Sequence, residues 1–344
     1  MSVASHVLEF WGLQDARVEP FGSGLINETY LVTAAAGERF VLQRLNPVFA
    51  PEINIDIDVL TRHLEARGHV TQRLVLTRDA SLWTEVEGRA WRLSTYVPGV
   101  CLDMLETESQ ATAAGRLLGQ FHAGIRDLQM DLHTARLGVH DTDRHLAALE
   151  VALQTHTGHR YIDKITTLAQ ATQIAAAKLP KLPALPDRLV HGDPKISNLV
   201  FDAQSGDGIC MIDLDTLTHM PLPLELGDAF RSWCNPSGED AQRAEFRLDL
   251  FAAAIRGYAS VAAEFVSEEE WRAFVPATCT IMVELAARFA TDALNESYFG
   301  WNSDAFPDRS THNQVRAAGQ LDLHQSLCRQ FEAAELLVEQ AFRT

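Results

Sequence analysis

The chain has 344 residues, 47% apolar and 22% charged, which is material for two packed lobes and not the composition of a fibrous or wholly disordered protein. Its net charge of −17 argues against nucleic acid or an anionic membrane surface as the main partner, because both require a basic face. A nucleotide is not excluded, since one divalent cation neutralises phosphates locally whatever the global charge.

In chain order, the first ~97 residues are dominated by short β-like runs at 29–33, 39–44 and 91–97, rich in Val, Leu, Tyr, Trp and Thr. Ahead of them, Phe21-Gly-Ser-Gly-Leu-Ile-Asn-Glu-Thr-Tyr30 carries glycines that let a backbone approach phosphates and expose N–H donors. It is neither a Walker A sequence nor a complete dinucleotide fingerprint. Residues 34–38, with Gly37, read as a hairpin turn. Ile53, Ile57, Leu60 and Leu64 recur at helical spacing and predict a helix over 51–67, and a further strand is predicted over 73–77.

After Pro98-Gly99 the chain turns helical. Residues 108–126 place Ala111, Ala114, Leu117, Leu118, Phe121, His122 and Ile125 largely on one face, and 141–178, 239–264, 267–294 and 317–342 also read as helices. The fold class is therefore α+β: a small β-rich lobe over 1–97 and a large, mainly helical lobe over 98–344, joined at 97–99. The five cysteines (Cys101, Cys210, Cys234, Cys279 and Cys328) form no CxxC pair, which speaks for reduced thiols in a cytoplasmic protein and against a zinc site. Residues 1–14 lack a basic segment followed by an apolar run, and no uninterrupted apolar stretch reaches ~18 residues, so neither a leader nor a membrane span is expected.

The chemistry concentrates between 189 and 215. Residues 199–202 and 209–212 are short apolar strands around a turn of Ser, Asp and two Gly. Folding that hairpin brings Asn198, just before it, beside Asp213, just after it, with Asp193 in the loop leading in. Two such oxygen-bearing side chains suit Mg²⁺, which prefers few protein ligands plus water and phosphate oxygens.

His191-Gly-Asp-Pro-Lys-Ile-Ser-Asn198, followed by Ile212-Asp213, resembles the catalytic loop and metal-binding aspartate of kinases. Glycine at 192 points to the aminoglycoside phosphotransferase and choline kinase superfamily instead of the protein kinases. The resemblance implies a protein-kinase-like two-lobe fold, ATP and Mg²⁺ as cofactors, and a small-molecule hydroxyl as acceptor. By it, Asp193 accepts the proton of the attacking hydroxyl, Lys195 steadies the γ-phosphate, and Asn198 and Asp213 hold the metal. Ser23, Gly24, Leu25, Ile26 and Asn27 cover the phosphates, and Tyr96 and Val97 receive adenine through backbone groups. Gln43 stands where kinases usually carry a phosphate-binding lysine, and brings hydrogen bonds without charge. His191 is expected to brace the loop.

Gly24-Leu-Ile-Asn-Glu-Thr-Tyr30, Val41-Leu-Gln-Arg-Leu-Asn46, Ile212-Asp-Leu-Asp-Thr216, Leu226-Gly-Asp-Ala-Phe-Arg231 and the stretch from Arg288 to Phe299 further resemble the N-acetylhexosamine 1-kinase branch, in which glutamine in place of the lysine is usual. That likeness implies a sugar's anomeric hydroxyl as acceptor, with Asp215, Arg288 and Tyr298 at the substrate. Pro194, residues 219–225 and residues 300–313 depart from the branch, so an aminoglycoside, choline-like or other amino-alcohol acceptor stays open. Gln43 keeps a third reading open, a catalytically weak nucleotide-binding pseudokinase. Oligomeric state is not legible in the sequence.

Overall fold

A computed structural model describes residues 6–22, 26–134, 139–241 and 243–343. The amino-terminal half-turns and strands build an antiparallel sheet of β1 (Arg17–Pro20), β2 (Glu28–Thr33), β3 (Arg39–Arg44), β4 (Thr84–Val86) and β5 (Arg89–Thr95), in the order β1-β2-β3-β5-β4. The β2–β3 hairpin closes as the sequence predicts: Gly37 takes φ 89° and its N–H donates to the Ala34 carbonyl at 2.9 Å. Its register places Thr29 opposite Gln43, and Gln43 in turn opposite Arg92 on β5. Helix α1 (Ile53–Ala66) lies inside the predicted span and buries Ile53, Ile57, Leu60 and Leu64.

The predicted strand at 73–77 is reduced to a single bridge, Leu74 to Ser94. The same edge of β5 is already occupied lower down by β4, where Thr84 faces Trp91, so only two flanking backbone bonds are left for 73–77. At the join between the lobes, β6 (Val100–Cys101) does not hang free but is the edge of a three-stranded sheet completed by two later strands at Leu199–Phe201 and Gly208–Met211.

In the second lobe, α2 (Glu108–Ile125) starts at a capping box in which Thr107 and Gln110 satisfy each other's backbone N–H, and it buries all seven residues of the predicted apolar face. The span 141–178 is broken into α3 (Thr142–Thr155) and α4 (Ile162–Ala176) by a turn around Gly158. Then follow β7 (Asp187–Val190), β8 (Leu199–Phe201), β9 (Gly208–Met211), β10 (Thr218–Pro221) and α5 (Leu222–Trp233). The predicted helix at 239–264 is only α6 (Leu248–Ala262), because Glu239 and Asp240 are held outward by ion pairs to Arg231 and Arg316. The chain ends with α7 (Glu268–Arg272), α8 (Phe274–Asn295), α9 (Arg309–Cys328) and α10 (Phe331–Arg343).

Helices α2 and α6 meet at backbone distance: a Cβ on Gly115 would lie 2.0 Å from the Ala254 carbonyl oxygen, and one on Gly257 2.1 Å from that of Thr112. Helix α8 runs through the centre of the lobe. By length and composition it is apolar enough to cross a membrane, but charged residues interrupt it and 83% of its most apolar window is buried inside the fold. It carries the buried polar residues Glu284 and Asp292 and the partly buried Arg288.

Candidate active site

The loop between β7 and β8 is held from below by one buried carboxylate. Glu225 on α5 accepts the backbone N–H groups of His191 and Gly192, each at 3.0 Å. His191 is fully buried; its Nε2 lies 2.9 Å from the Ile212 carbonyl, and its Nδ1 accepts the Asp193 N–H at 3.3 Å. That pattern makes it a brace between the two chemistry-bearing segments. Gly192 adopts φ 82°, and a Cβ there would lie 2.0 Å from the Thr216 carbonyl oxygen. Glycine at this position is thus a steric requirement of the loop, and not only a family signature.

On this platform Asp193, Lys195, Asn198 and Asp213 converge. Lys195 Nζ donates to Asp193 Oδ2 at 2.8 Å, and the Asn198 amide donates to the Asp193 carbonyl at 2.9 Å and to its Oδ2 at 3.4 Å. The Ile212 N–H bonds the Asn198 carbonyl at 2.9 Å, so the hairpin does bring Asp213 next to Asn198. Burial pushes the Asp193 carboxyl up, but the charge and hydrogen bond of Lys195 outweigh it and hold it below the usual carboxylate range. Asp213 goes the other way: burial first, then the neighbouring Asp215 charge, push it up to about 6. It sits at φ 64°, a strained position for a non-glycine residue, and its carboxylate takes no protein donor among the described residues. An acid held up by carboxylate neighbours, beside an asparagine whose amide nitrogen is already used and whose Oδ1 is left over, is a donor set that fits a divalent cation.

A network that the sequence did not reveal lies above this loop. Arg92, nearly buried on β5, spends all five of its N–H donors. Nε and Nη2 reach Gln43 Oε1 at 2.9 and 2.7 Å, Nη1 and Nη2 reach the two Asp215 oxygens at 2.5 and 2.9 Å, and Nη1 also reaches Asn54 Oδ1 of α1 at 3.4 Å. Asn27 donates to the same Asp215 at 2.7 Å and accepts the Asn46 N–H at 2.9 Å. Two expectations change. Gln43 is engaged with Arg92 and, through Nε2 at 3.3 Å, with Thr29, so it acts as a holder of the guanidinium. Asp215, expected at the substrate, is 1% exposed and is enclosed at the junction of the lobes. Arg92 thus places a cation one strand across from Gln43, engaged by protein acceptors at every donor.

Of the other expected nucleotide contacts, Ser23, Gly24 and Leu25 lie outside the described residues. Ile26 is half exposed beside Asn27, and its carbonyl accepts the Asn46 side-chain amide at 3.2 Å. Tyr96 donates its N–H to the Arg39 carbonyl at 3.3 Å with the Arg39 guanidinium 4.1 Å over its ring, while the backbone groups of Val97 are left unpaired among the described residues. Unpaired backbone at the end of β5 suits the edge of a base.

A run of ionic groups extends from the loop along the second lobe. Arg231, whose charge acts on Asp193, pairs with Asp228 at 2.8 Å and Glu239 at 2.7 Å. His140, which feels Asp228, pairs with fully buried Glu284 at 2.9 Å. Arg288 lies 3.9 Å from Glu284 and 5.6 Å over the Phe299 ring. Tyr298 is 56% exposed, in a loop pinned by Asp292, which accepts the N–H groups of Ser297, Tyr298 and Phe299 at 2.8–2.9 Å. Asp228 and Arg231 stood in the sequence only as members of the quoted stretch Leu226 to Arg231, with no role assigned, and His140 and Glu284 were not singled out. His140 lies in the turn before α3, and Glu284 interrupts the apolar pattern of α8.

Residues 17–263 match the model of the family described as phosphotransferase enzyme family. Among solved structures, the fold is shared with the amicoumacin kinase hAmiN in complex with AMP-PNP, Ca²⁺ and Ami (13% identity, TM-score 0.64, 93% of this chain and 92% of that one). It is shared also with a microcompartment-associated aminopropanol kinase (15%, 0.63, 98% and 99%) and a choline kinase from Cryptosporidium parvum Iowa II (12%, 0.60, 99% and 99%).

Proposed function

The chain belongs to the phosphotransferase enzyme family, and from that premise we propose that it is an ATP- and Mg²⁺-dependent kinase acting on the hydroxyl of a small molecule, a sugar's anomeric hydroxyl in the first place. The observation that carries the reading is the convergence of Asp193, Lys195, Asn198 and Asp213 on one braced loop. Binding alone has no use for an ionised aspartate beside a lysine, so a pseudokinase is the poorer reading.

Asn198 and Asp213 would hold Mg²⁺, which supplies charge neutralisation for the transferring phosphoryl group. The acceptor hydroxyl lies against Asp193. As its oxygen bonds to the γ-phosphorus and the bridge to the β-phosphate breaks, its proton passes to the Asp193 carboxylate. Lys195 keeps that carboxylate ionised and sets its orientation through the 2.8 Å bond. Glu225 and His191 fix the backbone on which both stand. Arg231 and the enclosed Arg92–Asp215 pair order the flanks.

The sugar reading rests on the likeness of residues 288–299 and on Arg288. Asp228 and Glu239 share the single charge of Arg231, and Glu284 pairs with His140 and lies 3.9 Å from Arg288. Arg288 has donor capacity for a polyol. An amino alcohol is the second reading, favoured by the acceptors in the names of the aminopropanol and choline kinases. Arg288→Ala is expected to raise the KM for the acceptor by about ten- to a hundredfold, the worth of a charge-assisted hydrogen bond of roughly 1.5–3 kcal/mol, with the KM for ATP unchanged. Asp213→Ala is expected to do the reverse and abolish Mg²⁺-dependent nucleotide affinity. Equal effects of either variant on both substrates would remove that residue from its assigned side.

A further inference from the structure

Away from the phosphotransfer loop, α8 and α9 pack so that Cys279, His324 and Cys328 bring one donor atom each to a common point, all within 4.8 Å of one another. His324 and Cys328 stand four residues apart on α9 and so project from one face, and Cys279 meets them from α8. Absence of a CxxC pair had spoken against such a site; the third donor comes from 45 residues away in sequence, where spacing carries no signal. We propose that these three side chains form a soft-metal site that takes Zn²⁺, with the fourth position open to solvent at the exposed Cys328.

The donor spacing suits the ion once the imidazole turns. A tetrahedral S–Zn–N edge, with bonds of ~2.3 and ~2.0 Å, spans about 3.5 Å. Cys328 Sγ lies 3.5 Å from His324 Nε2 and 4.0 Å from Nδ1, so the sulfur stands beside the ring, and binding the ion turns the ring to aim a nitrogen at the common point. Cys279 and His324 are buried, and among the described residues the His324 ring hydrogen-bonds only Cys328, so the imidazole is not engaged by a competing acceptor. Two thiols and an imidazole select zinc over magnesium or calcium, which take oxygen. The ion would tie α9 to α8, the helix that carries Glu284 and Arg288.

The test is uptake by the full chain, reduced and freed of metal, titrated with Zn²⁺ against a chromophoric chelator and separately with Co²⁺. The expected result is one tight equivalent of Zn²⁺ and, with Co²⁺, thiolate charge-transfer absorption with tetrahedral ligand-field bands. Cys328→Ser, at an exposed position, and His324→Ala are each expected to lose the tight equivalent and the thiolate band, while Cys101→Ser, the other exposed thiol, keeps both. No uptake by the reduced chain, or undiminished uptake by Cys328→Ser, overturns the assignment.

Discussion

Replacing Asp193 with asparagine is expected to lower kcat by about 10²–10⁴-fold while Mg·ATP still binds with its native affinity. Asparagine preserves the shape of the side chain and an oxygen for Lys195 to reach at 2.8 Å, so the loop keeps its brace through Glu225 and His191. What it loses is the capacity to take the acceptor's proton. The metal ligands, one turn and one hairpin further on, are untouched. Single-turnover ADP formation together with calorimetric titration of Mg·ATP separates the two quantities. Turnover within tenfold of the native rate would show that Asp193 is not the base.

The second large effect is on stability. Arg92→Met is expected to cost about 3–5 kcal/mol, because it leaves Asp215, 1% exposed, with one of its two cationic and amide partners gone and only Asn27 remaining. Asp215→Leu leaves the Arg92 guanidinium in the same position and is expected to cost a similar amount. The double replacement should cost far less than the sum, since it removes both buried charges together. Denaturant unfolding of the four proteins closes the cycle. Additive losses would mean that the pair at 2.5 Å is not an energetic unit. The cycle also bears on activity: Arg92 gathers β3 through Gln43, α1 through Asn54 and the second lobe through Asp215. Its loss should therefore loosen nucleotide binding without touching the chemistry at Asp193.

This network shows where sequence reading stops. The strands at 29–33 and 39–44, the helix at 51–67 and the hairpin after Asn198 were legible because their signals are local: alternation, helical spacing and turn residues within a few positions. The catalytic loop was legible because Asp193 and Asn198 sit at a fixed offset and glycine is forced at 192 by the Thr216 carbonyl. Arg92 was not. Its meaning comes from pairing with Gln43 across β3 and β5 and from a carboxylate 123 residues away, and an arginine in Trp91-Arg-Leu-Ser-Thr reads as the solvent-facing member of a strand. One signal was present, the charge missing at Gln43, and it asked for a cation from elsewhere. Asp215 was misplaced for the same reason, since its partners belong to the other lobe. The chain of ionic groups from Arg231 through His140 to Arg288 is assembled from two helices and the turn before α3, and has no sequence spacing to read. Helix boundaries failed where ion pairs, such as Asp240 to Arg316, held the backbone out of the predicted helix.

The most direct measurement is coupled ADP release from Mg·ATP against free hexoses, N-acetylhexosamines, aminoglycosides, choline and homoserine, with the product's phosphate position read by ³¹P NMR. The account predicts turnover that requires both ATP and Mg²⁺, on a sugar, with an acid-labile anomeric phosphate as the product. Turnover on an amino alcohol or aminoglycoside alone would keep the kinase and contradict the sugar. Tight Mg·ATP binding with no ADP release above the Asp193→Asn background on any acceptor would contradict the central claim that this loop transfers phosphate.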